Sequence, residues 1–154
     1  MSHGDSISLA SHEVRYTNER THHSVNRQLE TEIFQRFIQK AKVDRFLWML
    51  ESPGRRRRIF DDLRDLRYFD RPSCEELTGA AKESNALIER LTSLQVRDPL
   101  YLICSDEDYD GTEQDLIPFV RERLWQIDEV IGYCRQSRVG FFKNHEGWFY
   151  ILSK

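Results

Sequence analysis

The sequence predicts an α+β protein, a helical N-terminal region followed by a strand–helix–antiparallel-meander unit with a small sheet of about four strands. Three observations lead there. Apolar residues recur at helical spacing from Leu29 to Leu94, the pattern stops at Arg97-Asp98-Pro99, and short β-branched or aromatic runs between turn formers follow. With 154 residues, 39% of them hydrophobic and 12% aromatic, the chain suits one core. It divides into a flexible tail over residues 1–26 and a single domain over 27–154, helical over 27–96 and sheet-containing over 97–154.

The tail is rich in Ser, His and Asn, with too few apolar side chains to offset the entropy of ordering. Leu29, Ile33, Phe34, Phe37, Ile38 and Ala41 then share one helical face. Val43, Phe46, Leu47 and Leu50 form a second stripe turned well away from the first, so the helix bends near Lys42. Asp44 is the expected N-cap of the second piece, and Ser52-Pro53-Gly54 its stop. A third helix is expected from Arg55 to Tyr68, burying Ile59, Phe60, Leu63 and Leu66. Ser73-x-x-Glu76 has the form of a capping box and predicts a short helix, interrupted by Gly79 before the stripe of Leu87, Ile88, Leu91 and Leu94.

Leu100 to Cys104 reads as a buried strand. Asp110-Gly111 turns the chain into a helix that starts near Thr112 and buries Leu116, Val120, Leu124 and Ile127, with Pro118 in its first turns. Tyr133–Gln136, Val139–Lys143 and Trp148–Leu152 are the expected meander, with residues 144–147 as its last turn. Consecutive aromatics, Phe141-Phe142 and Trp148-Phe149-Tyr150, fall on both faces of such a sheet. One face would meet the helix after Thr112, and the other the N-terminal helices or another protein chain.

The net charge of −3 comes from 23 basic and 26 acidic residues that are unevenly placed. Residues 28–71 carry 11 basic against 8 acidic groups, and residues 97–154 carry 7 against 11. Charged residues make up 32% of the chain, no apolar run is long enough to span a membrane, and the N-terminus lacks the pattern of a secretory signal. Cys74, Cys104 and Cys134 are odd in number and form no CxxC pair, which argues against a disulfide framework or a zinc knuckle. A cytoplasmic protein is the expectation.

Two segments carry candidate chemistry. Asp106, Asp108 and Asp110, followed by Gly111, match D-x-D-x-D-G, the opening of a calcium loop, in which alternating carboxylates converge on a hard cation. The twelfth position, which should supply a bidentate Glu, is Ile117, so Ca or Mg binding competes with simple capping of the next helix. The second segment is Arg55, Arg56, Arg57 and Arg58, extended by Arg64 and Arg67, whose planar forks suit phosphate or another polyanion. Asp61, Asp62, Asp65 and Asp70 are interleaved with it and can pair at helical spacing. A Cys134–His145 pair is the one economical nucleophile and base, His22-His23 has no nearby ligand set, and no P-loop, G-x-S-x-G or H-E-x-x-H occurs.

From Arg45-Phe46-Leu47 through Gly54-Arg55-Arg56-Arg57-Arg58-Ile59-Phe60-Asp61-Asp62-Leu63 to Leu102-Ile103-Cys104-Ser105 and Asp110-Gly111, the chain resembles a group of small bacterial α+β proteins with no assigned activity. The resemblance implies a cytosolic bacterial α+β protein and carries no catalytic residue with it.

The expected function is therefore a non-enzymatic protein-interaction or regulatory domain, acting through charged helices and an aromatic sheet face. A protein partner or self-association is expected, without cofactor, catalytic residue or membrane. The alternative is a nucleic-acid-associated protein using Arg55, Arg56, Arg57, Arg58, Arg64 and Arg67. A third reading, a divalent-cation-dependent hydrolase at Asp106, Asp108 and Asp110, lacks a recognisable nucleophile or base.

Overall fold

The computed structural model describes residues 25–154. The expected tail, with His22-His23, lies outside the described residues except for Val25 and Asn26. The centre of the molecule is a six-stranded antiparallel sheet of β1 (Cys74–Leu77), β2 (Leu100–Cys104), β3 (Glu113–Gln114), β4 (Val130–Cys134), β5 (Val139–Lys143) and β6 (Phe149–Leu152). The strand order is β1-β6-β5-β4-β2-β3. The α+β class holds, and the sheet is larger than the four strands expected, because β1 and β3 extend its two edges.

Helices cover both faces. On one side lie α1 (Arg27–Phe37), α2 (Val43–Leu50), α3 (Pro53–Arg56) and α4 (Ile59–Leu63), whose Phe34, Phe37, Phe46, Ile59, Phe60 and Leu63 pack with Ile103, Ile131, Tyr133 and Phe142 of the sheet. On the other lie α5 (Ser84–Ser93) and α6 (Leu116–Glu122), where Leu87, Leu91, Phe119 and Val120 pack with Leu102, Val130, Phe141 and Ile151. Alternation along each strand sends neighbouring residues into opposite layers, which is why the strands read as continuous apolar runs. Phe142 shows the density of the first layer, its ring lying 4.9 Å from that of Phe69 and 6.4 Å from that of Phe60.

Gly132 marks the tightest point of the second layer. It pairs with Phe141 across β4 and β5, and a Cβ placed on it would lie 2.4 Å from the Phe141 ring. That ring is itself held against Phe149 at 5.3 Å.

Several expected elements differ in detail. The first helical stripe stops at Phe37, with Ile38 extended and bridged to Phe69 and Ala41 exposed; the bend near Lys42 is present as a 3-10 turn, Lys40–Lys42, and Asp44 lies inside the first turn of α2 and does not cap it. Ser52-Pro53 opens α3, with the Ser52 hydroxyl accepting the Arg55 N–H, so the segment expected to stop one helix starts the next. The long helix over 55–68 is instead α3, a turn at Arg57-Arg58, and α4, and it ends where Leu66 takes φ 68°. Arg56 is drawn inward to two carboxylates, while Ile59, Phe60 and Leu63 are needed against the sheet, and one straight helix does not meet both demands.

The capping box at Ser73 forms no helix. Ser73 donates its hydroxyl to Asp70, and Cys74 to Leu77 extend along the open edge of β6. The helix after Thr112 begins only at Leu116, whose N–H is accepted by Asp98, and gives way at Leu124 to a 3-10 turn. The first meander strand starts at Val130, three residues earlier than Tyr133.

Candidate functional site

The arginine run is split between the interior and the surface. Arg56, with its side chain 10% exposed, donates to both oxygens of Glu30 at 2.8 and 2.6 Å and to both oxygens of Asp110 at 2.6 and 3.0 Å. Glu30 projects from α1 with no exposed side-chain surface and also accepts the Tyr101 hydroxyl at 2.6 Å. Tyr101 in turn accepts the Asn26 N–H, and Asp110 accepts the Cys104 N–H at 3.1 Å. One guanidinium thus ties α1, α3, β2 and the loop after β2 together.

Burial works against the Arg56 charge, but the hydrogen bonds and charges of Glu30 and Asp110 outweigh it and hold its pKa above the ordinary arginine value. Burial, reinforced by Glu30, pushes the Tyr101 phenol up, so it stays protonated and donating. Arg56, Glu30, Tyr101 and Asp110 are thus each hydrogen-bonded within one network, the arrangement that lets buried charges persist.

Arg55 stays on the surface. Its guanidinium lies 4.1 Å from the centroid of the Trp48 ring, its Nε donates to the Trp48 carbonyl, and Glu51 is 3.7 Å away. Trp48 is 55% exposed, the most exposed large hydrophobic side chain among the described residues. Arg57 and Arg58 occupy the exposed turn between α3 and α4, and neither forms an ion pair among the described residues. Arg64 is engaged by Asp61 at 3.2 Å and Glu129 at 3.4 Å, and Arg45 by Asp62 at 2.8 Å. Arg67 and Lys42 both approach the Tyr68 ring, at 4.8 and 5.6 Å. The helical layer therefore carries a cation–aromatic surface, while its best-buried arginine is withdrawn from any ligand.

The acidic loop does not gather its carboxylates. Asp110 faces inward to Arg56, and Asp106 accepts the Asp108 N–H at 2.9 Å as a turn-forming residue. Among the described residues no three His, Cys, Asp or Glu side chains are grouped so as to hold a metal ion.

Cys134 and His145 lie at opposite ends of the β4–β5 hairpin, as the pairing of Cys134 with Val139 and of Val130 with Lys143 requires. His145 instead places Nδ1 2.9 Å from Glu129, a carboxylate that also receives Arg64. Burial alone would raise the Cys134 thiol, but donors from Ser137 and the N–H groups of Arg97 and Gln136 bring it below the ordinary cysteine value. Burial pushes the Cys104 thiol up, and that of Cys74 up to about 11.

The sheet aromatics are not available for docking. Phe141, Phe142 and Phe149 are fully buried and Tyr150 nearly so, because both helical layers belong to this chain. Among the described residues the exposed aromatics are Trp48, Trp125 and Trp148, at the margins. Glu30, Tyr101 and Glu129 are not among the site residues the sequence suggests, Tyr101 being expected only as part of a buried strand. Glu30 occupies a position adjoining the apolar face of α1, the one signal that it would be buried.

No family model, curated protein or solved structure matches this chain. Among the described residues no helix is long and apolar enough to cross a membrane.

Proposed function

We propose that the chain is a non-enzymatic protein-interaction module that docks an acidic protein surface through Trp48, Arg55, Arg57 and Arg58. The exposed Trp48–Arg55 stack carries this reading. Trp and Arg are the side chains that most often dominate binding energy, and here the pair is held in place before any partner arrives. Arg57 and Arg58 supply positive charge beside it that no carboxylate of the chain neutralises by direct pairing among the described residues. The buried Arg56 network supports the same assignment, since it braces the helices that present this surface. Bacterial origin and a cytosolic setting remain part of the proposal through the sequence resemblance.

The same surface would attract nucleic acid, because a guanidinium stacked on an indole also suits a base and phosphates. A photo-crosslinking amino acid in place of Glu51, beside Trp48, separates the two in cells. Crosslinks to one identified acidic protein, lost in an Arg57→Glu/Arg58→Glu variant that melts normally, are expected. Crosslinks to RNA or DNA alone would establish the second reading, and crosslinks unaffected by charge reversal would dismiss both.

A further inference from the structure

Among the described residues the sheet has one usable open edge. Ser153 donates its N–H to the Ser73 carbonyl, one step beyond the Cys74–Leu152 pair, so Ser73, Glu75 and Leu77 turn their backbone groups toward β6. The carbonyl of Cys74 and both the N–H and carbonyl of Glu76 therefore point away from the sheet, while the Cys74 N–H is taken by Arg71. The opposite edge, β3, has only two residues.

Beside β1 runs a groove of about 420 Å³, lined by Leu77, Ala81, Ala86, Glu89, Arg90 and Ser93. Four of these residues lie on α5 at helical spacing, and Arg90 also bridges to Glu75 of β1 at 2.8 Å. Glu75 and Leu77 share the sheet face that α5 covers, as their partners Ile151 and Phe149 show, and Cys74 and Glu76 share the other. A strand added along β1 would send alternate side chains toward α5 and set the intervening ones beside Glu76.

We propose that the β1 edge and this groove bind an extended, basic segment of a partner protein as a seventh strand. Charge selects the occupant. Glu75 and Glu76 lie on β1 and Glu89 lines the groove, against Arg90, already bound to Glu75, and Arg71, close enough to act on Tyr150 beside Glu76. Antiparallel pairing with a second copy would bring the acidic residues of both β1 strands together, and nucleic acid would be repelled. A segment alternating small apolar and basic residues satisfies both sides: the apolar side chains enter the groove near Ala81 and Ala86, and a Lys or Arg faces Glu76. Backbone bonds to Glu76 supply the common part of the affinity, and the groove supplies selectivity.

The test is fluorescence anisotropy of the full chain with a labelled peptide of alternating valine and lysine. Saturable binding is expected. It should weaken about tenfold when the peptide amide opposite Glu76 is N-methylated, since the donor to the Glu76 carbonyl is lost and the methyl group stands between the two strands. Glu76→Lys, an exposed change, should weaken it about fivefold, and Ala86→Leu should do so by filling the groove. If Ala86→Leu does not fold, Glu76→Lys and the methylated peptide decide the matter alone. Equal binding of the methylated peptide, equal binding of a valine–glutamate peptide, indifference to Glu76→Lys, or absence of saturable binding would each overturn the proposal. So would sedimentation showing that the chain dimerises through β1.

Discussion

Replacing Arg56 by Ala removes four charge-assisted hydrogen bonds of 2.6 to 3.0 Å and leaves two carboxylates facing the space it filled. Glu30 has no side-chain exposure and Asp110 has 14%, so water does not replace the guanidinium freely. Each acid keeps one donor, the Tyr101 hydroxyl for Glu30 and the Cys104 N–H for Asp110. Breaking a buried ion pair from one side costs roughly 3–5 kcal/mol. That is a large share of the ~5–15 kcal/mol available to a domain. For a chain of this length it corresponds to a fall in Tm of about 6–20 °C. Urea unfolding followed by circular dichroism measures the loss as a shift in midpoint at unchanged slope. Arg57→Ala and Arg58→Ala, from the same run, should stay within about 0.5 kcal/mol of the parent. A double-mutant cycle with Asp110→Asn should return a coupling energy above about 0.5 kcal/mol, as expected of two residues in direct contact. If Arg56→Ala costs no more than its exposed neighbours, the argument that this network braces the helical layer fails.

Three further outcomes follow from the same structure. Gly132→Ala should destabilise by about 1–3 kcal/mol or more, because the new methyl meets a Phe141 ring that Phe149 prevents from moving; an unchanged urea midpoint would show that the layer can relax. Gln95→Gly should stabilise by about 1 kcal/mol, because Gln95 sits at φ 70° in a Schellman turn, with the Val96 N–H donated to Leu91 and its own to Thr92; a lower Tm would contradict it. Stability should hold up to pH 9 and fall above it. Cys74 (9.0 to about 11) and Cys104 (from 9.0) bind their protons more tightly when folded, so deprotonation favours the unfolded chain as pH rises through their folded values. Cys134, shifted the other way, opposes them only in part. A flat stability profile between pH 9 and 11, or one that Cys104→Ala leaves unaltered, would refute this.

The helical and sheet halves of the chain were legible because each rests on a local repeat. The stripe from Leu29 to Phe37, the bend near Lys42, the stripe of Leu87 and Leu91, and the apolar run of Leu100 to Cys104 all appear where periodicity places them, whereas Ile38 and Ala41, expected on the first stripe, lie outside the helix. The sequence also marked Arg55 to Arg58 and the acidic loop as the two conspicuous ionic segments.

What it could not separate was the fate of individual members of those segments. Arg56 and Arg57 are neighbours with the same chemistry, yet one is buried between Glu30 and Asp110 and the other faces water. That difference depends on contacts 26 and 54 residues apart in the chain. Residues 73–76 likewise satisfy the local rule for a helix start, yet Ser73 closes a 3-10 turn and Cys74–Leu77 form a strand, because β6 offers an open edge that a local pattern does not register. Local spacing thus determined which segments are helical or extended and which are charged. Only the packed chain decided which charges became bracing and which stayed exposed for binding, because burial and pairing depend on residues that are distant in sequence and adjacent only after folding.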